Sequence, residues 1–274
     1  MTSSCLWKSL DGTLKVLHST EPSAKTVDIL TGTVWGSRAS RYRILGIAKK
    51  LRRLRDPAYL ELFEGEQVVS VVILDRCQRS VFGQPCDTYQ FVMAATAPEH
   101  RNRGLAGILI DQARRYAVET LNRPSLGFAF VEATTEFSLR LSDRIGHAIE
   151  ASFPLTVFTR LAPRIDPRVY RVDPRDLPAL IEGLRALYSD HELTDFLASL
   201  NRDEYFILRE GTEIIAGAQA ELIRWSVVEM PGLPGRALMS VLPRIPWLNR
   251  TVNLEDLRIL RLGNLLVSPG NERA

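Results

Sequence analysis

The residues best suited to chemistry lie together in Thr96-Ala97-Pro98-Glu99-His100-Arg101-Asn102-Arg103-Gly104-Leu105-Ala106-Gly107. An apolar run, Thr88 to Ala97, delivers a polar loop, and from Gly104 the apolar residues recur at helical spacing. A helix entered this way presents unpaired backbone N–H groups and a positive partial charge, which together hold phosphate. Gly104, Ala106 and Gly107 leave room for a pyrophosphate against the backbone. Arg101 and Arg103 can add charge-assisted hydrogen bonds. Other phosphate and nucleophile signatures are missing: there is no GxxxxGK[ST], no GxGxxG with a downstream acid, and no GxSxG.

The flanking elements must place that loop. Thr13 to His18 reads as a strand, and about Ser23 to Arg55 as helical and basic, with Arg41, Arg43, Lys49, Lys50, Arg52, Arg53 and Arg55. Ala58 to Phe63 and Gln67 to Leu74 are strands joined by the turn Glu64-Gly65-Glu66, and Thr88 to Ala97 is a strand covered on both faces. Leu105, Ile108, Leu109, Gln112, Ala113, Tyr116 and Ala117 mark one face of a helix that ends before Asn122-Arg123-Pro124. A buried strand, Leu126 to Ala133, a helix, Glu136 to Arg144, with Gly146 as its stop, and a strand, Phe153 to Thr159, complete a mixed α/β section.

The prolines at 163 and 167 suggest a linker, so residues 1–162 are expected to be one domain and 163–274 a second. The order then begins again: a strand at Tyr170 to Val172, helices at Asp176 to Tyr188 and Leu193 to Leu200, and strands at Tyr205 to Leu208 and Ile214 to Ile223 around Glu210-Gly211-Thr212. It repeats in element order, not in residue identity. About Pro231 to Asn249 reads as an ordered insertion rich in proline and glycine, before Leu257 to Val267.

Arg101-x-x-Gly104-x-Ala106 resembles the R/Q-x-x-G-x-G/A signature of the GNAT acetyltransferase superfamily, with Thr96-x-Pro98 at its V-x-P strand end. The resemblance runs from the strands near residue 58 to the strand near Thr159. It implies a GNAT-like acyl-CoA N-acyltransferase fold with acetyl-CoA as co-substrate and no metal. The pyrophosphate would lie on Arg101, Asn102, Arg103, Gly104, Leu105, Ala106 and Gly107, and the pantetheine along the backbone of Ala94, Ala95 and Thr96. Residues 163–274 resemble the opening half of a second such domain, incomplete or degenerate, with Val267-Ser268-Pro269 as a second V-x-P.

The catalytic pattern departs from the family's. Ser142 stands where many members have the tyrosine acid of Y-x-x-x-G-F, His147 replaces its phenylalanine, and Thr135 replaces an asparagine. Phe91 stands where some members carry a glutamate base. Glu132 and Tyr89 are the remaining candidates for acid–base work. A buried Glu132 could be a base with a raised pKa or a structural acceptor at a strand end. Tyr89 could equally pack the core, and His147 could carry a proton or lie at the surface.

Composition bounds the rest. The chain has 274 residues, 45% hydrophobic and 24% charged, and its net charge of +3 from 35 basic and 32 acidic residues gives no ground for a nucleic-acid partner. Three scattered cysteines and four dispersed histidines form no metal or disulfide pattern. With no leader and no run long enough for a bilayer, a cytoplasmic protein without a membrane partner is expected. The leading expectation is acetyl transfer to an amine, with a non-catalytic acyl-CoA-binding or scaffolding module as the alternative. The acceptor and the oligomeric state are not legible.

Overall fold

The computed structural model describes residues 4–38, 40–121, 125–144, 146–152, 165–191, 193–194, 200–246, 249, 252–268 and 270. The chain forms two compact units, each assembled from three stretches. The first comprises Met1–Cys77, Cys86–Leu155 and Arg224–Leu257; the second comprises Gln78–Pro85, Thr156–Ile223 and Arg258–Ala274. The boundary expected at residues 162 and 163 and the strand expected at 153–159 lie outside the described residues.

The fold is mixed α/β. In chain order, the elements of the first half are β1 (Ser4–Lys8), β2 (Leu14–Ser19), α1 (Ala24–Gly32), β3 (Arg41–Ile44), α2 (Ile47–Leu51), β4 (Pro57–Glu64), β5 (Gln67–Val81), β6 (Gln84–Thr96), α3 (Leu105–Thr120), β7 (Ser125–Ala129) and α4 (Glu136–Arg144). The main sheet has the order β1-β2-β4-β5-β6-β7. Its last pair, β6 with β7, is parallel, because the α3 crossover returns the chain to the same end of the sheet.

The sheet is covered on both faces. Leu60, Leu62, Val72, Leu74 and Tyr89 pack against Leu105, Leu109, Ile110 and Ala113 of α3. Tyr59, Val71, Ile73, Met93 and Ala95 face Ile29 and Leu30 of α1 and Ile47 and Leu51 of α2. A bulge lets β5 serve both. Phe63 pairs with Val68 and Leu62 with Ser70, leaving Val69 as the extra residue. Val68 therefore joins one cluster and Val69 the other, and beyond the bulge it is Val71 and Val72 that alternate.

A buried acid fixes where α1 begins. One Glu61 carboxylate oxygen accepts from the Ser23 hydroxyl at 2.5 Å, the Thr26 hydroxyl at 2.5 Å and the Ser23 N–H at 3.3 Å. Ser23 is also the helix N-cap, accepting from the Thr26 N–H at 3.1 Å.

The remaining elements are β8 (Val169–Arg171), α5 (Leu177–Leu187), β9 (Leu193–Thr194), β10 (Tyr205–Glu210), β11 (Glu213–Glu229), α6 (Gly232–Val241) and β12 (Leu257–Val267). The second unit's sheet runs β12-β11-β10-β8 around Val172, Leu180, Leu184, Tyr205, Ile207 and Leu266. Its central hairpin repeats the β4–β5 hairpin pair for pair. Glu64 pairs with Gln67 and Glu210 with Glu213; Phe63 pairs with Val68 and Arg209 with Ile214; then each register slips by one residue. The extra residue is Val69 in one hairpin and Ile215 in the other. The Val69 carbonyl accepts the Ala97 N–H and the Ile215 carbonyl the Ser268 N–H, both at 2.9 Å. Tyr59, Leu62, Glu64 and Gly65 recur as Tyr205, Leu208, Glu210 and Gly211, each 146 positions later.

Four local readings change. The stretch expected to be helical through Arg55 contains β3, whose alternation of exposed Arg41 and Arg43 with half-buried Tyr42 and Ile44 is that of a strand. Strand β5 runs on to Val81, where Phe82 and Gly83, at φ 48° and 75°, form a two-residue hairpin turn. Strand β7 is shorter than expected and mostly exposed, since β6 is its only partner among the described residues. Of the helix expected at Leu193 to Leu200, Leu193–Thr194 is a strand paired with Val81 and Ser80, and residues 195–199 lie outside the described residues.

Candidate functional site

The β6–β7 ladder stops early. Its last pair is Phe91 with Ala129, while β6 continues to Thr96. Along that extension the N–H of Ala97 and the carbonyl of Ala95 point toward β5, meeting Val69 and the Ser70 hydroxyl. Backbone groups alternate sides along a strand, so those of Ala94 and Thr96 point into the gap that β7 leaves. Ala94 is exposed there, Ala95 is buried beneath and Thr96 is half-buried. Among the described residues this stretch of edge has no strand partner, and an edge of that kind is hydrogen-bonding capacity suited to an extended ligand.

The strand runs into a short 3-10 turn, Pro98–His100, and then α3, a helix of 16 residues. Asn102 and Gly104 both have positive φ, 61° and 76°, which turns successive N–H groups toward one side. Gly104 is the N-cap and supplies no side-chain cap. The first N–H groups to bond within the helix are those of Gly107 and Ile108, both to the Gly104 carbonyl. The N–H groups of Leu105 and Ala106 are thereby left to a ligand or water. Arg101, Asn102, Arg103 and Gly104 are exposed, Ala106 and Gly107 half-buried, and Leu105 buried. A Cβ placed on Gly104 would meet nothing within 4 Å.

The two arginines are committed elsewhere. Arg101 folds back, its Nε donating to the Thr96 carbonyl at 3.1 Å. Arg103 makes a two-point pair with Glu64 at 2.9 and 2.6 Å, and His100 Nδ1 lies 3.1 Å from the same carboxylate. The Arg103 hydrogen bond holds Glu64 below its ordinary pKa of 4.5. Sequence reasoning missed Glu64 as a competitor, because it lies 39 positions away and meets the loop only through the fold.

Residues 30–137 match the family model described as an acetyltransferase (GNAT) domain. This stretch of the chain is a GNAT domain. The match spans β6, the loop, α3 and β7, and fewer than half of the 274 residues. Part of the chain is also similar to solved structures. An aminoglycoside acetyltransferase from an uncultured soil metagenomic sample, in complex with trehalose, is 10% identical with a TM-score of 0.40, covering 56% of this chain and 99% of that one. A transcriptional regulator from Bacillus halodurans is 15% identical with a TM-score of 0.42, covering 52% and 99%. The aminoglycoside N-acetyltransferase AAC(6')-Iy in complex with CoA is 14% identical with a TM-score of 0.31, covering 39% and 68%. No curated protein sequence matches the chain.

Around the GNAT loop, the acid–base candidates fall in different places. Glu132 is not at the end of a buried strand. It is exposed in the turn before α4, accepting from the Thr134 and Thr135 hydroxyls at 2.8 and 3.4 Å. Burial, the reason for reading it as a base, is therefore missing. Tyr89 is buried against α3, where its hydroxyl accepts from Thr120 at 3.4 Å. Seven residues of strand separate it from Thr96, about 23 Å. Phe91 packs edge-on against His147, with ring centroids 5.7 Å apart. Burial first, and then the Arg114 charge, holds His147 below its ordinary 6.5. Gly146, at φ 77°, ends α4 as expected: its N–H bonds the Asp143 carbonyl and that of His147 the Ser142 carbonyl, both at 2.9 Å.

Among the described residues no group of three or more His, Cys, Asp or Glu could hold a metal ion. No helix of the described residues is long and apolar enough to cross a membrane.

Proposed function

We propose that the GNAT domain transfers an acetyl group from acetyl-CoA to an amine by direct attack. One observation carries this reading: the strand edge left open from Val92 to Thr96 leads straight into an uncapped helix N-terminus. The first suits the amides of a pantetheine arm and the second a pyrophosphate. Ala94 and Thr96 would pair with the arm over Ala95. Asn102, Gly104, Leu105 and Ala106 would hold the phosphates through the backbone, and Arg101 and Arg103 would close over them on leaving Thr96 and Glu64.

In the reaction the neutral amine nitrogen bonds to the thioester carbon, the C–S bond breaks, and sulfur leaves as thiolate. The thiolate takes a proton from solvent and the new amide nitrogen gives one up. Holding amine and thioester together in the gap supplies most of the acceleration, since proximity alone replaces a large part of the barrier. Tyr89, buried against α3 with its hydroxyl bonded to Thr120, is assigned no step.

A second reading, a non-catalytic acyl-CoA-binding module, draws support from Phe91 and Ser142 at the positions of the family's acid–base groups. The similar register of the second unit supports reading it as a GNAT-like module without its own pyrophosphate loop among the described residues.

Calorimetric titration of acetyl-CoA into the full chain, beside Gly104→Glu, tests the first reading. Binding in the wild type that the variant abolishes, together with amine-dependent release of CoA, is the expected result. Binding without release establishes the module, and no binding refutes both.

A further inference from the structure

Two other acids of the same unit have cationic partners: Glu136 with Arg38 and Arg140, Glu229 with Arg41. Glu132 has none among the described residues, and its oxygens accept only from two threonine hydroxyls. It lies three positions past Ala129, the last residue of β7 paired with β6, and so on the β7 side of the open gap.

An aromatic shelf shares its framework. Tyr42 of β3 stacks on Trp225 of β11, with ring centroids 4.1 Å apart and planes 20° from parallel. Trp35 and Tyr42 exchange backbone hydrogen bonds of 2.7 and 3.0 Å. Ser37, in the loop between them, donates to the Thr134 carbonyl at 2.6 Å, and the Thr134 hydroxyl is the one that donates to Glu132. Trp35 and Ile44 pack against the cluster containing Met93 and Ala95, on the β6 side of the gap. The proximity is also electrostatic: burial first, and then the Glu132 charge, raises the Tyr42 phenol above its ordinary 10.0.

A carboxylate without a cation, beside stacked rings that offer a negative face, selects a cation. The attacking nitrogen of an acyl transfer must be neutral, so the cation bound here is a different one. We propose that Glu132, Tyr42 and Trp225 form the acceptor subsite, and that the acceptor is an amine carrying a second, protonated nitrogen. This rests on the acyl-transfer reading above.

The test uses the full chain saturated with CoA and two probes, spermidine and butylamine, titrated by calorimetry into wild type, Glu132→Gln and Tyr42→Leu. Spermidine is expected to bind at least ~10-fold tighter than butylamine. Glu132→Gln should remove most of that difference and Tyr42→Leu part of it, with CoA affinity unchanged in both. Equal affinities in the wild type, or undiminished spermidine binding in Glu132→Gln, overturn the proposal. Failure of the wild type to bind CoA overturns instead the reading beneath it, and spermidine titrated into the CoA-free chain then decides the cation subsite separately.

Discussion

At the scale of single residues, Glu64 and the proposed phosphates compete for Arg103. A two-point carboxylate pair open to solvent is screened and contributes little, so a pyrophosphate can displace it. Replacing Glu64 by Gln should tighten acetyl-CoA binding by roughly 2- to 5-fold at low ionic strength, and the gain should shrink in about 0.5 M salt. An unchanged affinity would mean that Arg103 serves only the Glu64 contact. The same pair sets an acid limit. Because the folded pKa of Glu64 is below 4.5, its contribution is complete above 4.5 and is lost as pH falls through the lower, folded value. His18 acts in another window. Burial lowers it from 6.5, so the unfolded chain takes up its proton first and stability declines as pH falls below 6.5. Thermal melts from pH 8 to 5 should show that slope, and His18→Gln should reduce it, His147 supplying the rest. Glu61 is the most exacting residue: in Glu61→Leu three donors lose their acceptor, a loss of about 2–4 kcal/mol by urea denaturation. A loss below 1 kcal/mol would mean that water replaces the carboxylate.

Among the elements, the strand–loop–helix unit was the most legible. Its strand ends at a proline, its helix has a clear apolar stripe, and Gly104 sits at the junction, so three local signals agree. The positive φ of Gly104 with empty space around its Cβ position separates two roles. Gly104→Ala should cost ~1 kcal/mol from backbone strain alone, yet keep the fold, whereas Gly104→Glu blocks the ligand. Strand β3 was illegible for the opposite reason. Seven basic residues between Arg41 and Arg55 looked like a solvated helix, and the alternation Arg41-Tyr42-Arg43-Ile44 is too short to outweigh them. What makes it a strand is Trp225 opposite Ile44 and Val227 opposite Tyr42, which no local pattern announces. The candidate site divides the same way. The loop residues were readable in sequence, while Tyr42 and Trp225 lie 183 positions apart and meet only by pairing. Gly217 shows the repeat under a similar constraint: a Cβ there would stand 2.7 Å from the Tyr205 ring, so Gly217→Val should destabilise the second unit by more than about 2 kcal/mol.

For the whole molecule, the decisive fact is that the first unit is not finished at α4. Residues 224–257 belong to it, and they include the stretch of β11 that covers β3. A chain cut after residue 162 should therefore expose Tyr42 and Trp35, melt at least ~5 °C lower and be cleaved first between Thr33 and Gly46. Differential scanning calorimetry and limited proteolysis against the full chain would check this. An equal melting temperature would show that the β11 arm contributes nothing to the unit. The arrangement also bears on biosynthesis. At ribosomal speeds of about 5–20 residues per second, some 180 residues separate the emergence of β3 from that of its partner, a delay of roughly 10–40 s. Throughout that interval the nascent domain holds an aromatic edge without its strand partner.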